Sequence, residues 1–365
     1  NVSVKEVTGD QPRLNYDINA NGQVQSCPSL LLEPASTNLV TYSEDFSNAY
    51  WTKVNSAGSS LPIVTSNYGI SPDGTQNADR IQVSRASGAG DFSSIYKSIT
   101  ISSSNRALSV WLKSLSGTPT ILIANNNGTY VSQQITTEWV RYELDLGVGT
   151  LTELQLSVVG SNFVQGVSES ADFLAWGYQL EAGSYPTSYI PNSGQSAGVT
   201  RAAETCDKTG LTNYIGQTEG TLYCEIDFKS HPETGSPIVG IVSLNNNVTN
   251  IQNCITLGIE RQSGGVNRFY PFVQVGNSTV ASIIGPTLTD GVYKAAFAYK
   301  ENDFVLYVNG VQIGVDNSGA VPTTSQVLVG KRFNGDSFIL GDGIKSTQIF
   351  KTRLTNTQLQ TLTTL

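Results

Sequence analysis

The chain has 365 residues, a net charge of −8 and few charged side chains (14%), with 35 glycines and abundant Ser, Thr and Asn. A net acidic chain with no basic run or stripe is a poor match for phosphate, which argues against a nucleic-acid partner. No apolar run approaches the ~20 residues of a membrane span, and the composition suits many short strands joined by polar turns.

The length allows two or three domains. Residues 1–30 lack the basic start and apolar stretch of a signal peptide. The chain begins at Asn1 and contains no Met, so it reads as a fragment, a processed product or a trimmed chain. Residues 1–29 hold two β-like pieces, NVSVKEV and RLNYDI, around turn signals at Gly9-Asp10 and Asn21-Gly22. With little apolar content, this extended segment is expected to pack on the first domain or on a neighbouring chain.

Residues 30–191 form the first domain. LLLEP is a short apolar strand ended by Pro34, and TYSEDFSNAYW leads onward. NADRIQVSR, SIYKSITI, RALSVWLKSL, TPTILIA, TEWVRYELDL, LTELQLSVVG and DFLAWGYQLEA alternate with period two. In RALSVWLKSL, Leu108, Val110 and Leu112 share one face and Trp111 takes the other. Strands at this spacing with Gly, Asn and Ser turns indicate an antiparallel sandwich or jelly roll.

Residues 192–209 are rich in small and polar side chains and read as a linker. Residues 210–365 carry a second β set. In GTLYCEIDFK, Leu222, Cys224, Ile226 and Phe228 point inward, with Tyr223, Glu225 and Asp227 on the other face. Glu301-Asn302 and Asn309-Gly310 mark hairpins. A short C-terminal helix is expected, with Thr355 or Asn356 as N-cap and Leu359 and Leu362 on one face. The fold class is therefore all-β, two antiparallel sandwiches in tandem after a short extended segment.

Cys27, Cys206, Cys224 and Cys254 have no CxxC spacing and suggest neither a zinc site nor a disulfide framework. Free, buried thiols of a chain made in a reducing cytoplasm are expected, with a Cys206–Cys224 or Cys224–Cys254 bridge left open.

Two resemblances follow from quoted strings. LTDGVYKAAFAYKENDFVLYVNGVQIG and FILGDGIKSTQIFKTRLTNTQLQTL, with Tyr307-Val308-Asn309-Gly310, Arg353-Leu354-Thr355 and Gln358-Leu359, resemble the laminin G-like, concanavalin A-like jelly roll over 219–365. Lys294 stands where that family usually has His. The first domain resembles a carbohydrate-binding-module-like sandwich of bacteriophage tail and virion proteins over about residues 13–204. Arg13-Leu14-Asn15-Tyr16-Asp17, Leu31-Leu32-Glu33, Thr37-Asn38-Leu39, Tyr42-Ser43-Glu44, Phe46 and Trp51 carry it, and so do Trp176-Gly177 through Tyr189-Ile190-Pro191 and Thr200-Arg201-Ala202-Ala203. Pro34-Ala35-Ser36 and Glu204 depart from that pattern. The resemblance implies a virion protein, assembled in the host cytoplasm and exposed on the tail or particle, that touches host-surface glycans. Other virion proteins are implied partners, as is a homo-oligomer, a trimer being favoured.

Catalytic material is sparse. His231 is the only histidine, lies beside Pro232, and no G-x-S-x-G accompanies it. Glu225 with Asp227 is the candidate carboxylate pair for glycoside hydrolysis. Sugars present C–H faces and hydroxyls, so aromatic platforms with amides and Arg suit them. The candidates are Tyr50, Trp51, Tyr68 and Tyr96 in the first domain and Asn246, Arg268, Tyr270 and Asn334 in the second, although a cluster such as Asn245, Asn246 and Asn247 is more often plain turn chemistry. Trp111, Trp139 and Trp176 read as core. No cofactor is required. For a structural calcium, Asp336 with Asp342, or Asp45 with Asp172, are the candidate ligands. The expected function is non-catalytic attachment to host-surface glycan, with a structural or decoration virion protein and a polysaccharide depolymerase as alternatives.

Overall fold

The computed structural model describes residues 13–15, 28–183, 185–228, 238–246, 252–262, 266–333 and 343–365. Among them the chain is nearly all β and divides into two compact units. The strands in chain order open with Arg13–Asn15 (β1), Ser29–Leu31 (β2), Ser36–Asn38 (β3), Thr52–Asn55 (β4), Ser60–Gly69 (β5) and Ala78–Ser84 (β6). Phe92–Ser114 (β7), Thr120–Asn126 (β8), Thr129–Gln134 (β9), Val140–Val159 (β10), Ser170–Ala182 (β11) and Val199–Arg201 (β12) follow, and β3 to β12 make up the first unit.

In this unit β5–β6–β11–β7–β10–β8–β9 pair in that order, with β4 added to β7. The long strands β7 and β10 run side by side with register breaks at Asp145/Gly147 and Gly149/Leu151. The breaks let one sheet fold over on itself. Its far half (β4, β8 and residues 92–101 and 151–159) and near half (β5, β6, β11 and residues 104–114 and 140–149) therefore enclose one core. Ile95, Leu154, Leu156 and Ile121 from one half meet Ile81, Leu108, Val110 and Phe173 from the other. Arg106 sits at the fold-over, fully buried, donating to Thr152 Oγ1 at 2.7 Å and Asn126 Oδ1 at 2.5 Å.

The two strings at the ends of this unit meet. β3 pairs antiparallel with β12. Asn38 donates to Ile190 O (2.8 Å) and accepts from Val40 N (3.0 Å), while Ser43 Oγ accepts from Asn192 N (2.9 Å). Ser36 Oγ donates to the buried Glu181, whose carboxylate also accepts from Gln179 Nε2 (2.6 Å), Thr187 N (2.9 Å) and Thr187 Oγ1 (2.5 Å). What resembles a family signature is, physically, the clasp that closes the sandwich.

The second unit takes Cys206–Lys208 (β13), Glu219–Phe228 (β14), Ile238–Asn245 (β15), Cys254–Arg261 (β16), Asn267–Phe269 (β17), Phe272–Val275 (β18), Ser278–Ser282 (β19) and Thr287–Leu288 (β20). Gly291–Lys300 (β21), Asp303–Val308 (β22), Val311–Asp316 (β23), Gln326–Val329 (β24), Ile344–Phe350 (β25) and the helix Asn356–Thr363 (α1) follow. One sheet runs β1–β2–β25–β14–β21–β22–β23 and the other β13–β24–β15–β16–β17–β20, with β18 and β19 off β16. Leu222, Cys224, Ile226 and Phe228 face the shared core as their alternation requires. Tyr223, on the opposite face, is covered by α1 through Leu359 rather than by solvent. Thr355 caps α1 in a capping box with Gln358, and Asn309-Gly310, both at positive φ, make the tight β22–β23 turn.

Three segment assignments differ from the sequence reading. Leu30, placed above at the start of the first sandwich, pairs with Ile344 and packs on the second core. β1 pairs with β2 and so extends the same sheet. The segment 192–209 is not a free connector, since β12 belongs to the first unit and β13 pairs with β24. Strands of three residues carry too little alternation to name their partners, and short polar composition looks like loop.

Cys206, Cys224 and Cys254 are free thiols, and Cys27 lies outside the described residues. Burial pushes the Cys224 thiol up to about 12 and Cys254 up to about 11. The thiolate is the reacting species, so both should resist Ellman's reagent at pH 8 in the native chain and react on denaturation. Rapid native labelling at either position would contradict this packing.

Candidate functional site

The outward face of the far half of the first unit carries a depression of about 190 Å³. Alternation builds it. Leu154, Leu156 and Val158 of β10 point into the core, so Glu153, Gln155 and Ser157 point out. In register, Glu153 lies opposite Ser98, Gln155 opposite Tyr96 and Ser157 opposite Ser94, and Val54 of β4 lies opposite Ser94 on the other side. Half-buried aromatic rings border this polar row: Tyr96, Phe92, Tyr130 and Phe163. Phe163 meets Phe92 (6.0 Å) and Tyr130 (5.6 Å) edge-on, which fixes the three rings as one rim.

The polar row is a connected chain. Ser94 Oγ and Ser157 Oγ are 2.6 Å apart, and Ser157 Oγ donates to Gln155 Oε1 at 3.2 Å. Gln155 Nε2 donates to Glu153 Oε2 at 3.2 Å, and Asn125 Nδ2 donates to the same oxygen at 2.8 Å. Asn125 is itself fixed by accepting from Gly128 N (2.9 Å) in the β8–β9 turn, where Asn127 and Gly128 both take positive φ. Among the described residues Glu153 Oε1 has only the Ser98 hydroxyl, at 3.4 Å, and keeps lone pairs to spare.

Beneath the row, Tyr178 crosses the core. Its hydroxyl donates to Ile123 O and accepts from Gln155 N at 3.3 Å, where the β8–β10 register breaks and the ladder would leave both groups unpaired. Burial pushes this phenol far above its ordinary value, so it stays a neutral donor.

A second depression, about 380 Å³, contains Tyr42, Glu44, Asp45, Asn67, Asn77 and Asp79. Its carboxylates hold loops together. Asp79, 2% exposed, accepts from Phe46 N (2.8 Å) and Asn67 N (2.9 Å), and burial pushes its carboxyl up against their pull. Glu44 accepts from Tyr189 Oη (2.8 Å), and Asp45 accepts from Ser47 N and Asn48 N (both 3.1 Å).

The aromatic residues singled out from sequence do not form one platform. Tyr96 lines the groove. Trp51 is only 2% exposed, packed on Phe46 (5.1 Å) and Tyr178 (5.5 Å) with Nε1 donating to Tyr42 O, so it is core and out of a ligand's reach. One face of Tyr50 is taken by Lys97 Nζ, 4.4 Å from the ring centroid. Tyr68 is exposed and lies under the Arg80 guanidinium, Cζ 4.9 Å away, with Arg80 bridged to Asp172. In the second unit Arg268 is paired with Glu260 at 2.6 Å, Tyr270 leans on Phe272, and Asn246 is half-buried at the end of β15. Asn334, Asp336, Asp342 and His231 lie outside the described residues.

Asp45 and Asp172 line different depressions, and among the described residues no group of three or more His, Cys, Asp or Glu is placed to hold a metal ion. Glu225 lies opposite Lys294 across the β14–β21 pair, and Asp227 is 4.0 Å from Lys345. Trp176 is buried and Trp111 and Trp139 are half-buried, but in a separate cluster on the outer face of the near half, with Ala78, Leu174 and Tyr189. The groove residues Glu153, Gln155, Tyr130 and Phe163 were missed from sequence, although the alternation of LTELQLSVV already put Glu153 and Gln155 on one face.

No family model matches the chain, and no curated protein matches it. Among solved structures, the CBM40 module of the Ruminococcus gnavus IT-sialidase is similar at 15% identity and a TM-score of 0.34, covering 44% of this chain and 97% of that one. The SAP-like pentraxin of Limulus polyphemus is 20% identical with a TM-score of 0.31, over 39% and 68%. The enzymatically active domain of bacteriophage CBA120 tailspike protein 2 is 14% identical with a TM-score of 0.32, over 41% and 25%.

Proposed function

We propose that the first unit binds a glycan in the groove of Tyr96, Tyr130, Phe92 and Phe163, without catalysis, and that the chain serves a virion in attachment to its host. The observation that carries the binding reading is the pairing of a half-exposed aromatic rim with a connected row of Ser, Gln and Glu acceptors and donors on one sheet face. A sugar ring has that same division, apolar C–H faces and a hydroxyl edge. The attachment role draws its support from the virion-protein strings at 30–51 and 174–191 alone.

The test is binding of the full chain to a glycan array and to extracted surface polysaccharides, with polymer length followed in parallel. Tyr96→Ala should weaken binding about fivefold, since one stacked ring is worth about 1 kcal/mol. Tyr68→Ala should leave it unchanged. Equal effects of both, or shortening of the polymer, would overturn this reading.

A protein-contact role has one feature of its own. Leu61, Ile63 and Ile70, on or beside the edge strand β5, are each more than half exposed, and edge strands invite pairing. Concentration-dependent association abolished by Ile63→Lys, with no glycan bound, would favour that role.

A further inference from the structure

We infer that the groove selects uncharged glycans and rejects acidic ones, an inference that rests on the glycan reading of the same site. Among the described residues, the groove's side chains include one formal charge, the Glu153 carboxylate, and no Lys, Arg or His. Three neutral donors, Asn125, Gln155 and Ser98, hold that carboxylate. No cation is paired with it among the described residues.

The neighbouring cations are turned away or used. Lys97 and Lys53 alternate with Tyr96 and Val54, and so leave the opposite face of their strands. Lys97 lies over the Tyr50 ring, and Lys53 Nζ donates to Ser47 O at 3.2 Å. Arg106 is fully buried and bonded to Thr152 and Asn126.

A sugar carboxylate or sulfate is held most strongly where a guanidinium or ammonium stands at the contact point. Here the contact point is an anion, in a depression where water is partly displaced and like-charge repulsion is strengthened. The net charge of −8 adds to it at longer range. A neutral sugar meets no such penalty. Its hydroxyls can donate to Glu153 Oε1, which has spare lone pairs, and to the serine oxygens, while its C–H face rests on Tyr96 or Tyr130. The class of ligand is therefore a neutral oligosaccharide, built of hexoses or N-acetylhexosamines.

The experiment compares matched pairs on the full chain: lactose against sialyllactose, and maltotetraose against tetragalacturonate, within an array that also holds other neutral and acidic glycans. Neutral members should bind at least about tenfold tighter than their acidic counterparts. Raising salt from about 50 to about 500 mM should narrow that gap by strengthening the acidic member only. Glu153→Gln should bring each pair within about threefold while Tyr96→Ala weakens both members. Acidic glycans bound as tightly as neutral ones, and lost in Tyr96→Ala, would overturn this inference and leave the glycan reading standing. No glycan bound, or binding indifferent to Tyr96→Ala, would overturn both.

Discussion

Replacing Glu181 with Ala is expected to destabilise the first unit by about 3–5 kcal/mol, because it leaves several buried donors without acceptors at once. Its side chain is 1% exposed and accepts from Ser36, Gln179 and both donors of Thr187. Ser36 starts β3, and Thr187 lies in the segment that leads to Tyr189 and Ile190, so one carboxylate joins the opening string to the closing one. Glu181→Gln should cost less, about 1–3 kcal/mol, since it keeps the volume and one acceptor but turns an N–H pair toward donors. Denaturant unfolding followed by tryptophan fluorescence reads both variants. A Glu181→Ala chain with an unchanged midpoint for the first transition would show that the clasp does not hold this sandwich closed.

Trp51→Ala should be comparably damaging, about 3–5 kcal/mol, and lower the melting temperature of this unit on the order of 10 °C. The indole fills the space between Phe46, Tyr50 and Tyr178 and gives its N–H to Tyr42 O at 3.0 Å. A smaller change separates packing from recognition. Trp51→Phe should lose a fraction of that stability and bind glycan as the parent does, measured well below the transition. Parent-like stability with lost affinity would instead make Trp51 a binding platform and contradict its burial.

Much of the fold was legible in the sequence because alternation is a local property. Leu108, Val110 and Leu112 against Trp111, the inward row Leu222 to Phe228, the Asn309-Gly310 turn and the Thr355 cap follow from period two, positive-φ residues and capping chemistry. Tyr96 was legible as an outward aromatic. Its companions were not, since Tyr130, Phe163 and Glu153 come from β9, a loop and β10, and only strand register brings them to Tyr96.

The sequence by itself determined that the longer strands form, where their hairpins turn, and which side chains share a face wherever a strand stays regular. Tertiary structure alone decided which faces meet. Trp176 and Tyr178, two residues apart, would share a face in a regular strand. A register break at Gly177, held at φ +66°, sends Trp176 to the outer cluster and Tyr178 through the core to the underside of the groove. A side chain at that glycine would be strained by its backbone and would meet Tyr189 at 3.3 Å. Likewise Leu30 was plainly a strand residue, but its partner, Ile344, lies over 300 positions away. Pairing at that separation is settled by packing of the whole unit, and no local pattern encodes it.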